Sequence, residues 1–320
     1  MRRFPLYLIV VSWSFSACSK IPPSGEEFIS CTIAQRIDST VIWQKGANID
    51  TWTCAFIESC LSEELTVVHA IQIALLNNPH IQALFEELGI ARADLLEATL
   101  LSNPSFSLDV RYPHTKSLYT NIEYVIASSL LDVLLIPLRT ALAAHAFEQV
   151  KLTIAHEILD LAFRTKETYY ELIAQKKKTE YLQSDAELTS ILNEISLQQL
   201  AVGNISTLSS QLSTSRNLEA EIHLEQALLE EIHLEESLHK LLGLREQFCL
   251  LLPNNLPEEM IQEWNVSDLE PIALEERLDL QTARFEIMRL ESVLGLKRGW
   301  TYTELNGGLA GERESGGDHL

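Results

Sequence analysis

The sequence predicts a mainly α-helical protein of long antiparallel helical hairpins. It also carries a small set of β-strands that several chains must complete into a transmembrane barrel. Three observations lead there. From Leu138 to Gln199 there is neither proline nor glycine, a run of about 62 residues or about 90 Å of helix at 1.5 Å per residue. The stretch NPSFSLDVRY alternates strictly, with Phe106, Leu108, Val110 and Tyr112 on one side and Ser105, Ser107, Asp109 and Arg111 on the other. The chain opens with MRRFPLYLIVVSWSFSAC, which has the composition of an export signal.

Composition narrows the field further. The 320 residues allow two ordinary domains or one elongated one. A formal net charge of -21 argues against nucleic-acid binding, which needs a basic footprint. Excess glutamate accords with solvated helix surfaces. With 12 Gly and 10 Pro the chain is not a loop-rich all-β protein.

Residues 1–17 read as a signal peptide. Arg2 and Arg3 form a positive n-region, and the apolar stretch after them, about 12 residues, falls short of the roughly 20 that span a bilayer as a helix. Ser16 and Ala17 are small, and Cys18 follows directly. The arrangement resembles a bacterial lipoprotein lipobox, with Phe15 where leucine is usual. The resemblance implies a covalent lipid on Cys18, and more than one acyl chain makes a stable membrane anchor. A plain signal peptide cut nearby would instead leave Cys18 an ordinary thiol. Ser19 after the cysteine resembles outer-membrane sorting. Cys31, Cys54, Cys60 and Cys249 allow three disulfide pairings, and spacing does not choose among them. The Cys54–Cys60 spacing fits no common zinc motif.

Residues 18–63 read as an anchored, irregular N-terminal segment. Residues 64–250 form one repeat. A helical pattern starts at Thr66, is interrupted at Asn78-Pro79, and resumes until Asn103-Pro104. Two strands are expected at about 104–136, the second carrying Ile122, Tyr124 and Ile126 in alternation, with Pro104 and Pro137 at the helix–strand junctions. The long helix covers 138–199, and a tip turn at 200–205 contains Gly203 and Asn204, residues suited to a left-handed turn. Ser206 or Thr207 caps the returning helix, 206–242. Residues 251–320 hold a linker and the start of a second repeat. There IALEERLDLQTARFEIMRLESVL, 272–294, keeps the apolar phase of IALLNNPHIQALFEELGIARADL, 73–95.

Strands cannot survive in a bilayer with unpaired backbone, so they must belong to a closed barrel. Two to four strands per chain are too few to close one, and several chains must contribute. A small periplasmic hairpin packed on a helix would give the same alternation; the export signal and the long helix favour the membrane.

The ordered series ALLNNPHIQALFEELGIARADLLEATLLSNPSFSL, IPLRTALAAHAFEQVK, AVGNIS and LHKLLGL resembles the TolC-type outer-membrane efflux proteins over about residues 60–320. Relatives often open the second repeat with Arg-Pro-Asp-Leu; here it reads Arg277-Leu278-Asp279-Leu280. The resemblance implies a homotrimer in which each chain gives four strands to one 12-stranded barrel above an α-helical barrel. It implies a passive duct that works with a periplasmic adaptor protein and an inner-membrane pump. Phe106, Leu108, Val110 and Tyr112 would form the lipid face, and Ser107, Asp109 and Arg111 would line the exit. Gly203, Asn204 and Ser206 match the tip that faces the adaptor. The implied location is the outer membrane, lipid-anchored and extending into the periplasm. Measured against that pattern the chain ends early, so a fragment or truncated member is expected. The alternative is a lipid-anchored periplasmic coiled-coil structural or adaptor protein. No phosphate loop, nucleophile motif or acid–base pair is present at a readable spacing. No catalytic residue, metal site or nucleic-acid partner is expected, and no cofactor besides the lipid.

Overall fold

A computed structural model describes residues 22–37, 41, 47–112, 120–244, 248–257, 265–300 and 306–314. The export signal, Cys18 and Ser19 lie outside these. In chain order the elements are α1 (Glu26–Ala34), α2 (Ala47–Leu61), α3 (Val67–Asn77), α4 (Pro79–Thr99), β1 (Ser105–Arg111), β2 (Asn121–Ser129), α5 (Leu130–Ala201), α6 (Thr207–Leu242), α7 (Val266–Glu276), α8 (Leu278–Trp300) and β3 (Asn306–Glu314). The described chain is mainly helical, as its composition predicts. It divides into two compact units. One comprises Glu26–Glu86 and Ile154–Ala273; the other comprises Glu87–Thr153 and Leu274–Leu320, with the described residues before Glu26.

The first unit is helical. α1 and α2 stand where the sequence predicts irregular chain. Ile29 and Ile33, one turn apart, are fully buried, and Thr53, Ile57 and Cys60 form a second buried stripe. Stripes this short do not stand out as a period in the sequence. Cys31, Cys54, Cys60 and Cys249 are all free thiols, so none of the possible disulfides is formed.

Thr66 caps α3, its side chain accepting from the His69 N–H at 3.2 Å. The break at Asn78-Pro79 falls where the sequence places it. Asn78 is extended, its Oδ1 accepts from the His80 N–H at 2.9 Å, and Pro79 takes the first position of α4. α3 buries Ala70, Ile73, Ala74, Leu75 and Leu76.

α6 ends in a left-handed Gly243, with φ 66°. The Gly243 N–H donates to Lys240 O and the Leu244 N–H to His239 O, which together form a Schellman motif. The carbonyls left over at such a helix end need partners. Asn77 donates to Leu242 O at 3.0 Å and to Gly243 O at 2.8 Å, and Asn78 donates to Leu241 O at 2.9 Å. A second tie runs through Leu65. Its carbonyl accepts from the Tyr169 hydroxyl at 2.6 Å, and its N–H donates to Leu251 O at 2.7 Å.

α5 corrects two expectations. It starts at Leu130 and contains Pro137, so the second strand ends at Ser129 and Pro137 is not a helix–strand junction. Proline lacks an N–H for the carbonyl one turn earlier. That carbonyl belongs to Val133, whose side chain is exposed, and the helix continues past the missing bond. Pro104 does stand at a junction, directly before β1.

The second unit holds the sheet, ordered β1-β2-β3 and antiparallel throughout. Phe106 pairs with Ile126, Leu108 with Tyr124 and Val110 with Ile122; on the other side of β2, Ile126 pairs with Leu309 and Tyr124 with Gly311. Beside the sheet, Ser102 donates to Asp132 at 2.7 Å and Thr140 to Ala98 O at 3.3 Å. Arg289 donates to Glu286 from Nε at 2.8 Å and from Nη2 at 2.6 Å, and holds that carboxyl below its usual range.

The second-repeat pattern has a counterpart in the elements. α7 and α3 each have 11 residues, and the α7–α8 break at Arg277 aligns with Asn78. The environments differ: Ile73 and Leu75 are fully buried, whereas Ile272 and Leu274 are exposed.

Candidate functional site

Residues directly opposite in an antiparallel sheet point to the same side. Phe106, Leu108 and Val110 therefore share one face with Ile122, Tyr124, Ile126 and Leu309. Phe106 is 66% exposed, Leu108 58% and Leu309 80%. Tyr112 follows β1 directly, outside the strand, and is exposed. The opposite face carries Ser105, Ser107, Asp109, Arg111, Asn121, Glu123 and Glu312, with the smaller apolar residues Val125, Ala127 and Ala310 among them. Asp109, Glu123 and Glu312 stand in one row, Arg111 pairs with Glu123 at 2.9 Å, and Asn121 donates to Glu312. β1 and β3 are the two edges among the described residues.

Two glycines suit the third strand to its place. The Tyr124 phenol lies over Gly311 so closely that a β-carbon there would overlap the ring. At Gly308 a β-carbon would stand 3.1 Å from Ile126 O. Cross-strand cover of glycine by an aromatic ring restores the packing that a missing side chain loses. The repeat predicts that the chain leaves its helix at GWTYTELNGGLAG, 299–311, and β3 stands there, but the pattern singles out neither glycine. An aromatic on β2 paired with a glycine-rich third strand would have been the signal.

The second candidate surface is the turn between α5 and α6. Gly203 is left-handed, with φ 79°; its N–H donates to Leu200 O and the Asn204 N–H to Gln199 O, a second Schellman motif. Asn204 therefore contributes a backbone donor and not the left-handed backbone its residue type suggested. Among the described residues only glycines have positive φ. Ser206 caps α6, accepting from the Ser209 N–H at 3.2 Å. Near this turn a groove of about 380 Å³ is lined by Leu192, Ile195, Leu212, Ser213 and Arg216, among others.

The third surface is the outside of the helical hairpin. The contact between α5 and α6 is built from small and polar groups. Ser210, Asn217, Ala220 and Ala227 of α6 are buried, as are Gln175, Thr179 and Ala186 of α5. Gln175 donates to Ala227 O at 2.9 Å, and Thr214 to Asn193 Oδ1 at 2.9 Å. The large apolar residues point the other way. Leu208, Leu218, Ile222, Leu229 and Ile232 are 52–68% exposed, and so are Phe163, Tyr181, Leu188 and Ile195 at 45–67%. Their spacing is heptad: 208, 222 and 229 in one row with 218 and 232 in the next, and 181, 188 and 195 on α5. Rows of that period are the seams by which helices pack on further helices.

Among the described residues no group of His, Cys, Asp and Glu is arranged to hold a metal ion. No described helix is long and apolar enough to cross a membrane.

No protein-family model and no curated protein matches the chain. Solved structures do. A membrane protein from Pseudomonas aeruginosa matches with a TM-score of 0.60 and 13% identity, over 77% of this chain and 66% of that one. The outer-membrane channel OprN matches with a TM-score of 0.59 and 16% identity, over 86% and 67%. The outer membrane protein VceC from Vibrio cholerae matches with a TM-score of 0.50 and 13% identity, over 82% and 68%. The chain spans about two thirds of the length of these structures. Its fold is that of the TolC-type outer-membrane channels which its ordered segments resemble.

Proposed function

We propose that the chain is the outer-membrane channel component of a tripartite efflux or export system. It is a passive duct of three copies, held at the outer membrane by lipid on Cys18 and extending into the periplasm. It performs no chemistry; an inner-membrane pump supplies the energy, and a periplasmic adaptor engages the turn at Gly203, Asn204 and Ser206. The observation that carries the reading is the two-sidedness of the sheet. Its exposed apolar face, with Phe106, Leu108, Val110, Tyr124 and Leu309, suits lipid. Its polar face, with Ser107, Asp109 and Arg111, suits a water-filled lumen. The open edges of β1 and β3 among the described residues need further strands to pair them, because lipid offers no hydrogen bonds to them.

The test is fractionation of envelopes from cells making the native chain, followed by electrophoresis with and without heating. The duct predicts an outer-membrane species that migrates as a trimer and collapses to monomer on boiling. A monomer that leaves the envelope once the Cys18 anchor is removed would overturn it in favour of a lipid-anchored periplasmic coiled coil. Intact mass of the same material reports whether Cys18 carries acyl chains.

A further inference from the structure

Three helices end together beside the sheet. Thr140 of α5 donates to Ala98 O near the end of α4, and Ser102, just past α4, donates to Asp132 in the first turn of α5. α8 runs antiparallel to α5. A β-carbon on Gly295 would stand 3.6 Å from Leu138 Cδ1, and further back along α8 the Phe285 ring lies 6.3 Å from His145. The last turn of α8 is therefore level with the first turns of α5.

Two kinds of side chain are exposed at this level. Leu100, Leu101, Val133, Leu134 and Leu294 are large and apolar. Lys297 and Arg298 are cations, in a chain whose net charge is -21. Arg298 shares a face of α8 with Leu294, one turn before it. Of the described acids, Asp132 and Glu97 stand at this level, and Asp132 is bonded to Ser102. The N-terminal strap points to the same place. Arg92 of α4 donates from Nε to Pro22 O at 2.9 Å, and Gly25 is buried against Phe147 and Lys151 of α5. From Arg92 to Thr99 the helix rises about 10 Å. The chain from Cys18 to Pro22 spans at most about 14 Å. A lipid on Cys18 is thus within reach of the end of α4.

We propose that the periplasmic surface of the outer membrane meets the chain at this level, where Lys297 and Arg298 bind the phosphates of an anionic phospholipid and the exposed apolar side chains enter its acyl layer. The surface continues the apolar face of the sheet, since β1 follows Leu101 and β2 precedes Val133 within a few residues. Long cationic side chains keep their heads among phosphates while their stems cover hydrocarbon, and an anionic surface attracts each of them. Both cations also complement the dipole at the α8 terminus. That role needs no lipid, and the test separates the two. The inference rests on the lipid-facing sheet proposed above.

The experiment reconstitutes the full native oligomer into phosphatidylcholine vesicles with a trace of spin-labelled phosphatidylglycerol or spin-labelled phosphatidylcholine. The readout is the fraction of each label immobilised at the protein. At low salt the native chain should prefer phosphatidylglycerol by about twofold or more, and high salt should erase the preference. Lys297→Gln with Arg298→Gln should lose it. Lys166→Gln with Lys178→Gln, an equal loss of exposed charge on the hairpin, should keep it. Circular dichroism and heat-modifiability confirm that each variant is folded. A native oligomer without preference, or a Lys297 and Arg298 double variant that retains it, overturns the inference and leaves the duct standing. A native chain recovered only as a periplasmic monomer overturns both.

Discussion

The side-chain amide of Asn77 donates to the carbonyl of Gly243 at 2.8 Å, and the two backbones meet so closely that a β-carbon on Gly243 would stand 2.6 Å from the Asn77 carbonyl oxygen. The left-handed φ of 66° and this contact together demand glycine at that position. Gly203 has a similar φ, 79°, but a β-carbon there meets nothing within 4 Å.

The two glycines therefore separate strain from contact. Gly203→Ala should cost about 1–2 kcal/mol, the left-handed penalty alone. Gly243→Ala should cost clearly more, since the backbone of Asn77 would have to move. Asn77→Leu should cost about 1–3 kcal/mol by leaving carbonyls at the α6 terminus unsatisfied. Urea unfolding of the detergent-solubilised chain checks all three, and equal losses for the two glycine variants would contradict the contact.

A charge on the apolar face of the sheet should block insertion where the same charge on the polar face does not. Leu108→Arg is expected to cost about 2–4 kcal/mol in a lipid-facing position near mid-bilayer. Ser107→Arg, one residue away on the other face, should insert nearly as the native chain does. The comparison is the yield of heat-modifiable outer-membrane species. Equal, undiminished yield from both would mean that neither face meets lipid.

Gly311→Val should prevent β3 from pairing at its present register, because the new side chain and the Tyr124 ring would need the same space. Tyr124→Ala should relieve much of that defect, so the double variant assembles better than Gly311→Val alone. Protease resistance of the C-terminal segment reports the pairing.

Burial pushes the Tyr169 hydroxyl up to about 12, with smaller contributions from Tyr170 and the Glu64 carboxylate. An unfolded tyrosine ionises near 10. The folded state therefore holds this proton more tightly, and the stabilisation is complete below about pH 10 and fades as pH rises toward 12. Tyr169→Phe should lose about 1 kcal/mol at neutral pH, the net worth of its bond to Leu65. It should also flatten the fall in stability between pH 10 and 12. Denaturant titrations at a series of alkaline pH values measure both.

Features with local causes were legible in the sequence. Asn78-Pro79 both ends and restarts a helix through its own side chain and ring. Gly203 and Gly243 terminate helices through a conformation that depends on the missing β-carbon. The alternation of 105–111 needs no knowledge of its surroundings. Pro137 misled because a proline is read as a stop, whereas the missing hydrogen bond falls at Val133, where Val133 and Leu134 are exposed and the helix tolerates it. The helices α1 and α2 escaped notice because four or five buried side chains define them, and only tertiary packing shows which four or five. The outer seams were present as heptads of leucine and isoleucine. Large apolar side chains ordinarily mark the inside of a hairpin, however, and here Ser210, Asn217, Ala220 and Ala227 take that place.

The open edges of β1 and β3 also govern timing. Among the described residues of one copy nothing pairs these edges, and closing a barrel from several copies leaves edges that only a neighbour can pair, so the rate at which finished sheet accumulates must depend on how many copies arrive together. At low synthesis the waiting species is an unfinished sheet beside a largely formed hairpin, exposed to proteolysis and to pairing with the wrong strand. Doubling expression should therefore more than double the early yield of assembled material, and the excess over proportionality should vanish once encounters are no longer limiting.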